Sequence, residues 1–275
     1  MKFSHLVFGT LLASAGFAQA SPVTILASDD FSYVTPAAAA VNLAGQNGGT
    51  GWAGAWTGTT AAKVVGTTAA DVGMSGGALQ VSGNANNLAT RQMSTTISDS
   101  VFVEFMFQFD AGTISNNDYL GLWFGNMNGP NIGLKANCGT GGACTSDLFV
   151  RTNGTAGAFS TNLTLGTTVH LVGLLEKTGT SSVYNKYSLW VDPTAFELNS
   201  LTGADAVFTG ASSLSSFSTI GFRSATLGAT DRLLVDKLKI GVISEAGAIP
   251  EPASLALLGV AFLGASLSTR RNKKA

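Results

Sequence analysis

Val101-Phe102-Val103-Glu104-Phe105-Met106-Phe107-Gln108-Phe109-Asp110 carries an apolar side chain at every odd position, while its even positions mix Glu104, Gln108 and Asp110 with Phe102 and Met106. A period of two marks an extended strand with one face in a core and the other partly wet. Comparable short runs recur on both sides of it, at 78–82, 119–125, 131–136, 147–152, 169–177, 186–191, 218–223 and 233–242. Clusters of Gly, Asn, Ser and Thr separate them and supply the turns. Outside the two chain ends, no stretch with helical period and proper caps exceeds two turns. Nine or more strands joined by turn-rich loops predict an all-β fold, an antiparallel β-sandwich.

Composition narrows the function. Of 275 residues 45% are hydrophobic and 34 are Gly, which keeps the chain far from the polar, highly charged regime of disorder. Only 11% are charged and the formal net charge is −1, which as an average over the chain rules out a protein that works mainly by gripping polyanions, nucleic acid among them.

The ends read as targeting segments. Residues 1–20 hold one cation, Lys2, then an apolar run and Ala18-Gln19-Ala20, the small-x-small pattern that signal peptidase reads. The expected organisation is a signal peptide at 1–20, a β-sandwich body at 21–243, a linker at 244–249 and a terminal segment at 250–275. That segment opens on Pro250-Glu251-Pro252, continues as an uncharged run to Thr269, just long enough for a short transmembrane helix, and ends with Arg270, Arg271, Lys273 and Lys274. Trailing cations hold the C-terminus in the cytoplasm and the body on the far side. This ordered triplet of features resembles the PEP-CTERM sorting signal of Gram-negative bacteria. The resemblance implies recognition by an exosortase, transient anchoring in the inner membrane, and delivery to the cell envelope or extracellular matrix; a permanent anchor is the alternative. Between residues 21 and 249 there are 10 cations and 15 anions, a charge of −5, which favours solubility and argues against anionic partners.

Within the body, Asp30-Phe31-Ser32-Tyr33, the Gly-rich run 43–56 with Trp52 and Trp56, Tyr187-Ser188-Leu189-Trp190 and Leu234-Val235-Asp236 resemble the concanavalin A-like jelly roll. That resemblance implies either a lectin-like binding domain or a glucanase. A retaining glucanase needs two carboxylates about 5–5.5 Å apart. The family's closely spaced Glu and Asp motif is absent, and Glu104 with Asp110, six positions apart on a strand, would stand about 20 Å apart. His170 is the one histidine outside the signal peptide and sits in an apolar strand, which favours packing over base catalysis.

The expected function is therefore a non-catalytic exported surface or matrix protein, with glycan as a possible ligand; a structural component without a ligand site and a divergent glycan hydrolase are the alternatives. Candidate glycan-binding residues are Trp52, Trp56, Trp123 and Asn126, with the first two preferred because their Gly-rich surroundings leave them uncovered; each tryptophan also suits a core. Calcium is the cofactor that the lectin resemblance brings up, with Asp29 and Asp30 as candidate ligands. Asn116-Asn117-Asp118 is a second oxygen-rich cluster that could serve calcium, but Asn and Asp suit turn conformations and a hairpin loop is the preferred reading. Cys138 and Cys144 are the only cysteines and predict a disulfide in an exported protein.

Overall fold

The computed structural model of the chain describes residues 23–35, 38–67, 76–138, 144–154 and 156–243. The expected signal peptide, linker and sorting segment lie outside these. Among the described residues no helix is long and apolar enough to cross a membrane.

Two antiparallel sheets form a sandwich, confirming the fold class read from the strand periodicity. One has nine strands: β1 (Val23–Asp29), β2 (Val41–Asn42), β4 (Ala62–Thr67), β5 (Gly76–Val81), β7 (Val101–Ala111), β12 (Thr168–Glu176), β13 (Lys186–Val191), β14 (Ala206–Thr209) and β16 (Arg232–Ile243). The other has seven: β3 (Thr57–Gly58), β6 (Ala85–Ile97), β8 (Tyr119–Phe124), β9 (Asn131–Lys135), β10 (Leu148–Arg151), β11 (Ala158–Ser160) and β15 (Phe217–Ala225). The seven-stranded order is β11-β10-β9-β8-β15-β6-β3. In the larger sheet β16 is central, bonded to β7 on one side and to β5 and β1 on the other, with Val23 opposite Ile243.

The odd positions of β7 from Val101 to Phe109 are all buried in the inter-sheet core, at 0–2% exposure. Each such side chain stabilises the fold by about 1.5–3 kcal/mol. The apolar even positions of β7 have a separate cause. Phe102 faces outward and joins Val172, Leu174 and Trp190 in a second cluster, roofed by Leu198, Leu201 and Ala204. Leu198 sits on a short helix, α1 (Ala195–Ser200), started by a capping box between Thr194 and Glu197 and closed by left-handed Leu201. Cys138 and Cys144 are joined by a disulfide across an antiparallel bridge.

Candidate functional site

The Gly-rich run does not present a tryptophan pair to solvent; it wraps a buried ionic centre. Asp29, at the end of β1, forms an ion pair with Arg91 of β6 at 2.6 Å, both side chains 1% exposed. The same carboxylate oxygen, Oδ2, accepts from the Trp56 indole at 2.7 Å and the Tyr33 hydroxyl at 2.6 Å, while Oδ1 accepts from the Phe31 amide. Arg91 completes its donors on the carbonyls of Gly48 and Gly54 and on Asn47 Oδ1. Its guanidinium lies 4.7 Å from the Trp52 ring centre and 5.4 Å from that of Trp56. Burial, reinforced by the Asp29 carboxylate, pushes the Tyr33 hydroxyl up to about 12, so it stays a neutral donor. Gly51 permits the close approach: its φ is +79°, and a β-carbon there would collide with the Leu26 carbonyl of β1.

Several expectations are corrected by this geometry. Trp56 is 1% exposed and cannot stack on a sugar. Trp52 is half-buried, with its indole N–H donating to the Ser28 carbonyl. Asp29 accepts from three donors at Oδ2 and one at Oδ1, so its charge is taken up inside the protein, and Asp30 Oδ1 accepts from the Ser32 amide in a local turn. Among the described residues no cluster of three or more His, Cys, Asp or Glu could hold a metal ion. His170 lies outside the inter-sheet core, half-buried with Nε2 3.3 Å from Glu104, whose other oxygen takes Lys239 at 2.6 Å. Burial would raise the Glu104 carboxyl, but the hydrogen bonds and charges of His170 and Lys239 outweigh it and hold it below the ordinary range. Asp110 pairs with Arg232.

Asn117 adopts a left-handed turn conformation, as a hairpin loop requires, and Asp118 closes that loop by accepting from the Ser115 amide. Its Oδ1 is buried without a partner. Burial, helped by the negative charge of Asp231 and opposed by the Ser115 N–H, pushes the Asp118 carboxyl up to about 6.

The outer face of the seven-stranded sheet is chemically richer. Leu120, Leu122, Phe124, Ile132, Leu134, Leu148, Val150, Ile220 and Phe222 point into the core, so the alternating residues point away from it. Register then aligns Thr57, Thr90, Gly221, Trp123, Asn131 and Arg151 in one row across six strands. At the spacing of neighbouring strands the row is about 24 Å long. Trp123 lies flat over Gly221, where any β-carbon would collide with its ring. It is 3% exposed, so it too fails as an open stacking platform, yet its indole N–H has no acceptor among the described residues. Asn126 is exposed in the turn after β8, where its side chain accepts from the Asn128 amide.

Two depressions flank this row. One, of about 300 Å³, is polar, with Thr57, Thr90, Gln92 and Thr219 in its lining together with Arg91, whose charge is answered by Asp29. The other, of about 250 Å³, is lined by Asn117, Tyr119, Lys135, Arg151, Arg223 and Thr226 among others. Its three cations sit on β9, β10 and β15, far apart in sequence; the available signal was that each occupies a non-core position of an alternating strand. Arg151 donates to Asn131 Oδ1 at 2.8 Å and to the Tyr119 hydroxyl at 2.9 Å, and stacks 5.3 Å from the Tyr119 ring centre and 5.2 Å from that of Phe149. Arg223 lies 5.7 Å over the same Tyr119 ring. Burial raises the Tyr119 hydroxyl although both guanidiniums oppose it, so it remains a donor to Asn131.

Among solved structures, the chain is similar to the carbohydrate esterase vb_24B_21 from the Shiga toxin-encoding bacteriophage phi24B, at 16% identity over 81% of this chain and 100% of that one, TM-score 0.40. It is also similar to a beta-1,3-glucanase from Mycobacterium marinum (13%, 79% and 98%, TM-score 0.39). A third similarity is to the CBM22-1 xylan-binding domain of Paenibacillus barcinonensis Xyn10C (12%, 83% and 99%, TM-score 0.35). No curated protein matches the sequence. Residues 248–271 match the family model of the PEP-CTERM protein-sorting motif, so the chain carries at its C-terminal end a motif that implies export, cell-surface sorting and processing by an exosortase.

Proposed function

We propose that this chain is a non-catalytic protein of the Gram-negative cell envelope or extracellular matrix, whose sandwich binds a glycan chain along the outer face of the seven-stranded sheet. The row from Thr57 to Arg151 carries the reading. It sets threonine hydroxyls at one end and the Arg151 guanidinium at the other, about 24 Å apart and each beside a depression, with Asn131 buried between them as the group that holds Arg151 in place. The buried Trp123 N–H supports it further, because an unmet buried donor costs about 1–3 kcal/mol until an acceptor reaches it.

The test is a glycan array with the exported protein, followed by Gln92→Ala and Thr219→Ala, whose side chains line the depression beside Thr57 and Thr90. Binding should weaken several-fold in each while the melting temperature holds. Retention of no glycan would return the chain to a structural matrix role. Release of reducing or unsaturated ends from any glycan would make it an enzyme, and either result overturns the proposal.

A further inference from the structure

Resting on that reading, we infer that the glycan is acidic, and that the depression bounded by Lys135, Arg151 and Arg223 is an oxyanion subsite for a sugar carboxylate or sulfate ester. The chain between residues 21 and 249 has only 10 cations against 15 anions, yet three of those cations converge on one depression whose lining contains no carboxylate. The described ion pairs belong to Arg91, His170, Lys186, Arg232 and Lys239, and none of the three converging cations takes part. The negative charge of the body as a whole argues against anionic partners, but that average says nothing of a single sheet face. Here the local sign is reversed.

Stacking on aromatics accounts for part of the cluster. Arg151 is fixed by Tyr119, Phe149 and Asn131, with three of its N–H donors in use and two left over. Packing does not account for the rest. Among the described residues the Lys135 amine makes no hydrogen bond or ion pair, and the Nε of Arg223 is buried without an acceptor. Like charges gathered on one floor repel, and a donor left unmet in a partly dry site is costly; one anionic group relieves both. Lys135 stands directly opposite Tyr119, and the next row along the same face runs Arg223, Gly121, Gly133 and Phe149; the Tyr119 ring and hydroxyl lie over Gly121, so Tyr119 forms the floor against which all three cations are set. A planar guanidinium held rigid on a ring loses little freedom when it forks onto a carboxylate or sulfate, and it rejects a neutral hydroxymethyl group by leaving its charge unanswered.

The experiment measures binding of the full exported protein to four probes: polygalacturonate, its methyl ester, dextran sulfate and unmodified dextran. Affinity for polygalacturonate or dextran sulfate at least tenfold above its neutral counterpart, falling with added salt, is the expected result, and which of the two is preferred identifies the oxyanion. Arg223→Gln and Lys135→Gln should each remove most of that preference. Should Arg223→Gln also lower the melting temperature, Lys135→Gln carries the test, because its amine holds no partner. Equal binding of charged and neutral probes, unchanged in Lys135→Gln, would overturn the acidic specificity while leaving the glycan reading intact. Binding of no glycan, on the array or here, would remove both.

Discussion

Replacing Arg91 with Met leaves the Asp29 carboxylate buried beside Trp56 and Tyr33 with its charge uncompensated. The guanidinium also serves the Gly48 and Gly54 carbonyls and Asn47, so the loop that wraps the pair loses its ties to β6 together. Breaking a buried ion pair from one side costs about 3–5 kcal/mol. For a body of this size each kcal/mol lowers the melting temperature by about 2–4 °C, which gives a fall of about 6–20 °C. Urea and thermal unfolding followed by tryptophan fluorescence suit the test, since Trp52 and Trp56 both lie against the guanidinium. Asp29→Asn/Arg91→Met, which removes both charges, should be less destabilised than the two single changes added together. A loss below about 1 kcal/mol in Arg91→Met, the size expected of a solvent-exposed pair, or strict additivity in the cycle, would refute the account of this centre.

Asp118→Asn should stabilise the protein at pH 7 and hardly at all at pH 4. A carboxyl raised from 3.8 to about 6 contributes stability that is fully present below pH 3.8 and lost as pH rises through 6, so the gap between variant and wild-type melting temperatures should widen over that window. Cys138→Ser/Cys144→Ser should still fold, at a cost of about 2 kcal/mol because the closed loop is short, and thiol labelling of the exported wild type should detect nothing until reduction. Failure of the double variant to fold would show that the loop organises the neighbouring hairpin.

Strands that alternate cleanly were legible. β7, β8, β12, β13 and β16 lie where the apolar period put them, because burial of one face is what the period encodes. β6 was not, although at 13 residues it is the longest strand, since Ala-Asn-Asn-Leu-Ala-Thr-Arg-Gln-Met-Ser-Thr-Thr-Ile reads as polar. Its core-facing register is kept by a charge: Arg91 stands between Ala89 and Met93, and it is compatible with the interior only because Asp29, 62 positions earlier, meets it there. No local pattern carries that pairing. The candidate site escaped for a related reason. The large aromatics drew attention, but glycines on neighbouring strands, such as Gly221 beneath Trp123, let the rings lie flat and be covered. The groups left available, Lys135, Arg151 and Arg223, are ordinary strand cations until the order β15-β8-β9-β10 sets them side by side.

The central place of β16 has a mechanical consequence. A body held through its C-terminal end while a bound polymer drags on the opposite sheet takes the load at Ile243. Tension entering at an edge strand would peel a single ladder, one bond after another. Here the loaded strand is bonded along both flanks, to β7 and to β1, and Val23 closes the ladder beside the point of pull. Two rows of bonds must therefore yield together, and the resistance under flow is set by how fast that joint rupture occurs rather than by the equilibrium stability of the domain.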